Sequence, residues 1–183
     1  MDAIRLALVG CGGISMAHVR GYRALYDHGC RDFVVTACVD VNASAAEARA
    51  DEIAGIQGVR PKVLVSTDAL LAEGLAEAAD VCLPHCFHHT VGIPLLEGGL
   101  HLMIEKPLGI TIRATKRLIA TAEANDRVLA TGEQVRRGLG SRACSWAIKS
   151  QGLIGDVRLV IMQAINHQPF DYSRYAAKWR GLK

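Results

Sequence analysis

Apolar residues in this chain come in short runs separated by helix-length amphipathic stretches. Ile4–Val9 is an unbroken apolar run but for Arg5, bounded by Gly10, and reads as a parallel strand covered on both faces. Residues 14–25 carry helical spacing, and Phe33–Val39 is β-branched and apolar, a second strand. Ser44 and Glu47 stand at capping-box spacing before an Ala-rich helix over 45–54. The alternation continues: a strand at 63–65, a helix through about Ala72 capped by Asp68, and a strand at 81–83 stopped by Pro84. Next come a helix over 89–96 ending at Gly98-Gly99, a strand at 101–104, a helix over 111–124 and a strand at 128–131. So regular an alternation predicts an α/β fold with a doubly wound parallel sheet, that is, a Rossmann fold. After Gln134 the pattern changes to a helix over 139–151, a Gly152/Gly155 turn and a strand-like stretch over 157–164. A lone strand there needs pairing, so residues 134–183 read as the beginning of a second, α+β domain following a first domain over 1–133.

Charge sharpens that division. Residues 1–133 carry 12 Lys/Arg against 16 Asp/Glu, whereas residues 134–183 carry 9 against 2. The 183-residue chain as a whole is +3, half hydrophobic and 21% charged, which excludes a disordered chain. No uncharged apolar window approaches membrane-spanning length, and the N-terminus carries no signal-peptide pattern. Six scattered cysteines without a CxxC read as reduced thiols, and the expected compartment is the cytoplasm. The basic segment lacks the aromatic interleaving of a nucleic-acid binder, so neither nucleic acid nor membrane is expected as a partner.

Two motifs carry chemistry. Gly10-Cys11-Gly12-Gly13-Ile14-Ser15 follows the first strand and opens the first helix. Gly10 permits the tight turn, Gly12 lets backbone amides approach a pyrophosphate, and Ser15 stands where a third glycine is usual. Asp40, 25 residues after Ser15 at the end of the second strand, can accept both hydroxyls of an adenosine ribose. A 2′-phosphate would be repelled there. Val41, Asn42, Ala43 and Ser44 offer no charge, and the nearest cation in sequence is Arg49, so NAD is favoured with NADP possible. The second motif, Glu105-Lys106-Pro107, closes the fifth strand at the edge where such sheets bind ligands, and places a lysine to act as acid or base near a nicotinamide. On spacing alone, a surface lysine paired with Glu105 is the better reading of Lys106.

Other signals read blandly. Cys82, His85, Cys86, His88 and His89 fall within eight residues, but Cys82 lies inside a predicted strand, and no metal site is expected. Cys82 and Cys86 read as small buried hydrophobes, Cys11 as a small residue that fits its loop, and His18 as a packed or capping histidine.

The combination resembles the Gfo/Idh/MocA oxidoreductases. The residues that carry the resemblance are the Gly10–Ser15 loop with His18, Val39-Asp40, Pro84 with His88, and Leu96–His101. They continue through Glu105-Lys106-Pro107 and Gly152–Gly155 to Trp179-Arg180, with Leu83 where a threonine is common. The resemblance implies hydride transfer between nicotinamide and a hydroxyl-bearing carbon of a sugar, cyclitol or related polyol. Lys106 would be the catalytic proton-transfer residue. Cofactor contacts are expected from Gly10, Cys11, Gly12, Gly13, Ile14, Asp40, Val41, Asn42, Leu83, Pro84, His88, Glu105, Lys106, Gln134 and Arg180. In the family, the lysine's Asp and His partners follow the Trp-Arg pair in an Asp-x-x-x-His segment, and this sequence closes at Gly181-Leu182-Lys183 before it. The expectation is an N-terminal part of a longer, homo-oligomeric parent, with proton relay impaired in this chain alone; the alternative is a non-catalytic dinucleotide-binding module.

Overall fold

A computed structural model of the chain describes residues 3–163. They fall into two compact units, divided after Gly132. The expectations for residues 164–183, including Arg180, lie outside the described residues.

The first unit alternates strand and helix: β1 (Ile4–Val9), α1 (Ser15–Asp27), β2 (Phe33–Val39), α2 (Ala43–Gln57), β3 (Lys62–Leu64), α3 (Thr67–Glu73), β4 (Ala78–Val81), α4 (His88–Glu97), β5 (His101–Glu105), α5 (Ile112–Ala124) and β6 (Leu129–Gly132). All six strands are parallel, in the order β3-β2-β1-β4-β5-β6. This is the doubly wound Rossmann sheet that the alternation predicts.

Two separate apolar clusters explain why β1 and β2 read as near-continuous apolar runs. On one face Leu8, Val35 and Cys38 pack with Val19 and Tyr22 of α1 and with Ala46, Ala50 and Ile53 of α2. On the other, Val9, Val39, Val81 and Ile104 pack with Leu70 of α3, Leu95 and Leu96 of α4, and Leu118 of α5. Successive strand residues such as Leu8 and Val9 therefore serve opposite cores, as side-chain alternation requires. Between β1 and β4 the chain reverses its direction of travel across the sheet, and the carboxyl ends of these two strands frame the crevice where open α/β sheets bind ligands.

Several local expectations shift. α2 is capped by Asn42, whose side chain accepts from the Ser44 N–H, and not by Ser44; Glu47 pairs instead with Arg60. Ser66, not Asp68, caps α3, by accepting from Ala69 N–H. The fourth strand is Ala78–Val81 rather than 81–83, because its pairing with β1 and β5 ends at Val81.

In the second unit a short 3₁₀ turn (Val135–Arg137) leads into α6 (Leu139–Ser145) and a π-turn (Trp146–Ser150). The expected single helix over 139–151 thus changes hydrogen-bond pattern midway. Residues 157–163 form no strand; among the described residues nothing pairs with them, and an unpaired strand has no ladder to hold it. Leu139 and Trp146 are exposed alongside Arg136, Arg142 and Lys149, which together line an open groove.

Candidate dinucleotide and lysine site

The Gly10–Ser15 loop is built by steric necessity at its first residue. Gly10 has φ +90°, and a Cβ there would lie 2.5 Å from the carbonyl oxygen of Cys82. The loop therefore rests directly on the backbone beyond β4, a contact closed to any side chain. Gly12 and Gly13 face open space, where a Cβ would meet nothing within 4 Å. Ser15 is fully buried, and its hydroxyl donates to the Gly12 carbonyl (2.6 Å), tying the loop to α1. Asn42, Ser66 and Thr111 cap α2, α3 and α5 with their side chains, but no side chain caps α1. Its first N–H groups and its positive dipole end thus remain available for an anionic group beside Gly12 and Gly13.

Asp40 follows β2 and is held by backbone amides. Cys11 N–H donates to Oδ2 (2.7 Å) and Asn42 N–H to Oδ1 (2.8 Å). Each carboxylate oxygen keeps a further lone pair for a hydroxyl. The glycine loop and the acidic residue thus form one unit. Val41 is almost wholly exposed at 91%, and Arg49 pairs with Glu52 three residues on, so its charge is already engaged. Cys11 is buried, and the neighbouring Cys38, together with burial, pushes its thiol upward, which fits the reading of it as a small loop residue rather than a nucleophile.

At the carboxyl edge of the sheet, Lys106 follows β5 with its side chain 46% exposed and its Nζ 4.0 Å from Glu105 Oε2. Lys106 N–H donates to the same oxygen (3.1 Å). Glu105 itself is buried. His88 is fully buried, with Nδ1 2.7 Å from the Pro107 carbonyl and Nε2 2.9 Å from the Leu83 carbonyl. It ties the segment after β4, which holds Leu83 and Pro84, to the loop that carries Lys106. Both His88 ring nitrogens are committed to carbonyls, so His88 supports the surface from behind. Gln134 lies in the second unit, at the start of its 3₁₀ turn.

Beneath the loop lies a constellation that sequence reasoning missed. His18 neither caps a helix nor simply packs; its Nδ1 is 2.7 Å from Asp80 Oδ2 and its Nε2 3.2 Å from Glu105 Oε1. Asp80, on β4, is fully buried and accepts from the Tyr22 hydroxyl on the same Oδ2 and from the Cys82 thiol on Oδ1 (3.8 Å). Burial and the Asp80 charge push the Tyr22 hydroxyl and the Cys82 thiol upward, so both stay protonated donors. The hydrogen bond to Asp80 raises His18 against the opposing pull of burial. The signal that could have found this site was the i, i+4 spacing of His18 and Tyr22 on α1, facing an aspartate inside an apolar strand.

His18, Asp80 and Cys82 offer ligand atoms within 4.8 Å of one another, but their polar atoms are already spent on one another and on Tyr22 and Glu105. Among the described residues, the Cys82–His89 histidines and cysteines do not themselves gather into such a group. Cys82 is buried as expected, whereas Cys86 is exposed, contrary to expectation, since it falls in the 3₁₀ turn outside the core.

Residues 4–133 match the family model described as "Oxidoreductase family, NAD-binding Rossmann fold". The UDP-N-acetylglucosamine 3-dehydrogenase of Acidithiobacillus ferrooxidans is 29% identical over 132 residues, covering 72% of this chain and 37% of that protein. The D-glucoside 3-dehydrogenase of Escherichia coli is 25% identical over 162 residues, covering 88% of this chain and 43% of that protein. Among solved structures, the WlbA dehydrogenase of Bordetella pertussis, in complex with NADH and UDP-GlcNAcA, superposes with a TM-score of 0.70 at 30% identity, covering 84% of this chain and 44% of that one. The chain thus spans about two fifths of the length of these relatives. No helix among the described residues is long and apolar enough to cross a membrane. The glycine loop locked to Asp40, the lysine at the end of β5 and the match across the whole sheet agree: the chain belongs to the Gfo/Idh/MocA family of oxidoreductases.

Proposed function

We propose that this chain supplies the NAD-binding and proton-transferring part of a dehydrogenase that acts on a hydroxyl-bearing carbon of a sugar, cyclitol or nucleotide-linked sugar. The observation that carries the reading is the direct bond from the glycine loop to Asp40, through Cys11 N–H and Oδ2 (2.7 Å). It sets the amides meant for a pyrophosphate and the carboxylate meant for a ribose in one rigid arrangement, so that a dinucleotide meets both at once. NAD would accept or give the hydride. The uncapped start of α1, with Gly12 and Gly13, would hold the pyrophosphate; Asp40 would accept the ribose hydroxyls, with Val41 and Asn42 flanking the adenosine. Leu83 and Pro84, backed by His88, would border the nicotinamide. Lys106, half exposed beside Glu105, would hold the reacting hydroxyl and, as a neutral amine, take its proton as the carbonyl forms. The second unit, with Gln134, would begin the substrate-binding and oligomerising part of a longer parent. The sugar substrates in the names of the relatives point to the substrate class.

Calorimetric titration of the chain with NADH tests the cofactor assignment. Saturable binding, stronger for NADH than for NADPH, supports it; no heat with either at millimolar concentration overturns it. A panel of polyols, sugars and UDP-sugars with NAD then separates two roles: turnover marks a working dehydrogenase, and binding without turnover marks a dinucleotide-binding module.

A further inference from the structure

His18 stands between two carboxylates. Asp80 faces Nδ1 at 2.7 Å and Glu105 faces Nε2 at 3.2 Å. A neutral imidazole has one N–H, so it could satisfy only one of them and would turn a lone pair toward the other. An imidazolium donates to both and places a positive charge between two buried acids.

The titratable groups around the ring come from every element packed against it: Tyr22 on α1 itself, Asp80 on β4, Cys82 just beyond β4, Glu105 on β5 and Lys106 after it. Tyr22 and Cys82 donate to Asp80 and leave its charge in place. Glu105 is the link outward: Oε1 faces His18, while Oε2 accepts from Lys106 N–H and lies 4.0 Å from Lys106 Nζ. Gly132 on β6 leaves Glu105 its place, since a Cβ there would lie 3.3 Å from Glu105 Oε1. Glu105 is buried and both its oxygens are engaged, so the direction of Oε2 depends on what holds Oε1.

We propose that His18 is a positioning residue: its imidazolium, donating from both ring nitrogens, clamps Glu105 to the buried Asp80 and so fixes the carboxylate oxygen on which Lys106 is anchored. Loss of its proton frees Glu105 Oε1, sets Glu105 and Asp80 in mutual repulsion, and loosens the lysine. The inference rests on the assignment of Lys106 to proton transfer for its functional meaning, but its test needs no turnover. The raised His18 has the direction that this geometry requires.

The test is solution NMR of the chain with labelled histidine and lysine. His18 ring nitrogens, assigned by their loss in His18→Gln, are expected to be both protonated at pH 7, with a midpoint above that of an ordinary histidine at about 6.5. The Cε–Hε signal of Lys106, assigned with Lys106→Arg, is expected to show an inflection at the His18 midpoint. That inflection should vanish in Glu105→Gln, which keeps the side chain's size but removes its charge. If His18→Gln does not fold, Glu105→Gln assigns His18 by displacing its signals. A neutral, single-tautomer His18 at pH 7 overturns the proposal. So does a Lys106 signal that ignores the His18 titration, which would leave the histidine purely structural. NADH titration of the same sample reads the cofactor assignment separately: a chain that shows both NMR signatures but binds no NADH keeps the clamp and loses the proposed function.

Discussion

Two aspartates belong to one sheet, Asp40 just past the end of β2 and Asp80 inside β4, and they are held in opposite ways. Asp40, at the rim, is gripped by two backbone amides and keeps acceptor capacity facing outward. Asp80, in the interior, is gripped by three side chains and is fully buried. The first arrangement prepares a carboxylate for a ligand. The second spends a carboxylate on the protein itself, linking α1 to β4 and, through His18, to β5. A backbone-held acid tolerates changes around it because its partners are not side chains. A side-chain-held acid makes its partners interdependent: deleting one leaves the buried carboxylate short of a donor, and deleting the acid leaves its donors without an acceptor.

The largest predicted effect breaks the interior member. Asp80→Ala leaves the His18 charge with one partner and strands the Tyr22 hydroxyl and Cys82 thiol, and should cost about 3–5 kcal/mol of stability by urea denaturation. Asp40→Ala should cost well under half of that; equal losses would erase the distinction. Gly10→Ala strikes the cradle next to the rim aspartate. With φ +90° and a Cβ 2.5 Å from Cys82 O, it should cost roughly 1–3 kcal/mol and abolish NADH binding by calorimetry. Asp40→Ser sharpens the rim's role: loss of a charged acceptor worth about 1.5–3 kcal/mol should shift preference from NADH toward NADPH by roughly tenfold or more. An unchanged ratio would show that Asp40 does not read the ribose.

The pH dependence separates the two aspartates again. His18 is raised in the folded protein, so its stabilising contribution is complete below its unfolded value of about 6.5 and is lost as pH rises through the folded value. The urea midpoint should therefore fall across that upper window in the wild type and lose that component in His18→Gln; Asp40→Ser should leave it intact. The smallest effect is a control on neither aspartate: Thr111→Ala removes the α5 cap, whose hydroxyl accepts from Ala114 N–H (3.1 Å), and should cost about 1 kcal/mol without changing NADH affinity.

The same contrast explains what could be read in advance. The rim lies within one sequence-local loop and the end of one strand, so spacing alone marks Gly10, Gly12 and Asp40. The sheet was legible for a similar reason: a strand with a core on each face must be apolar throughout. The interior network joins residues 18, 22, 80 and 105, which come together only after two parallel pairings, β1 with β4 and β4 with β5, are made. Asp80 in particular disguises its own strand: a buried acid inside Ala78–Val81 reads as a strand's edge, so the apolar pattern starts the fourth strand three residues late. The caps at Asn42 and Ser66 are hidden in the sequence because neighbouring Ser44 and Asp68 are equally good candidates, and only backbone geometry decides between them. The stretch over 157–163 has a strand's composition, but composition does not supply a neighbour.

The contact between Gly10 and the Cys82 carbonyl bears on how this molecule could be re-engineered. The cradle's floor is main chain from a distant part of the sequence, so variation at position 10 has no smaller side chain to fall back on. The bank facing Asp40 is a different terrain: Val41 is almost entirely in solvent, and the caging of the aspartate's oxygens uses only the amides of residues 11 and 42. A library built to readdress the cofactor should therefore randomise 41, 43 and 44 freely, spare 10 and 42, and expect most of its folded members to come from that short exposed bank.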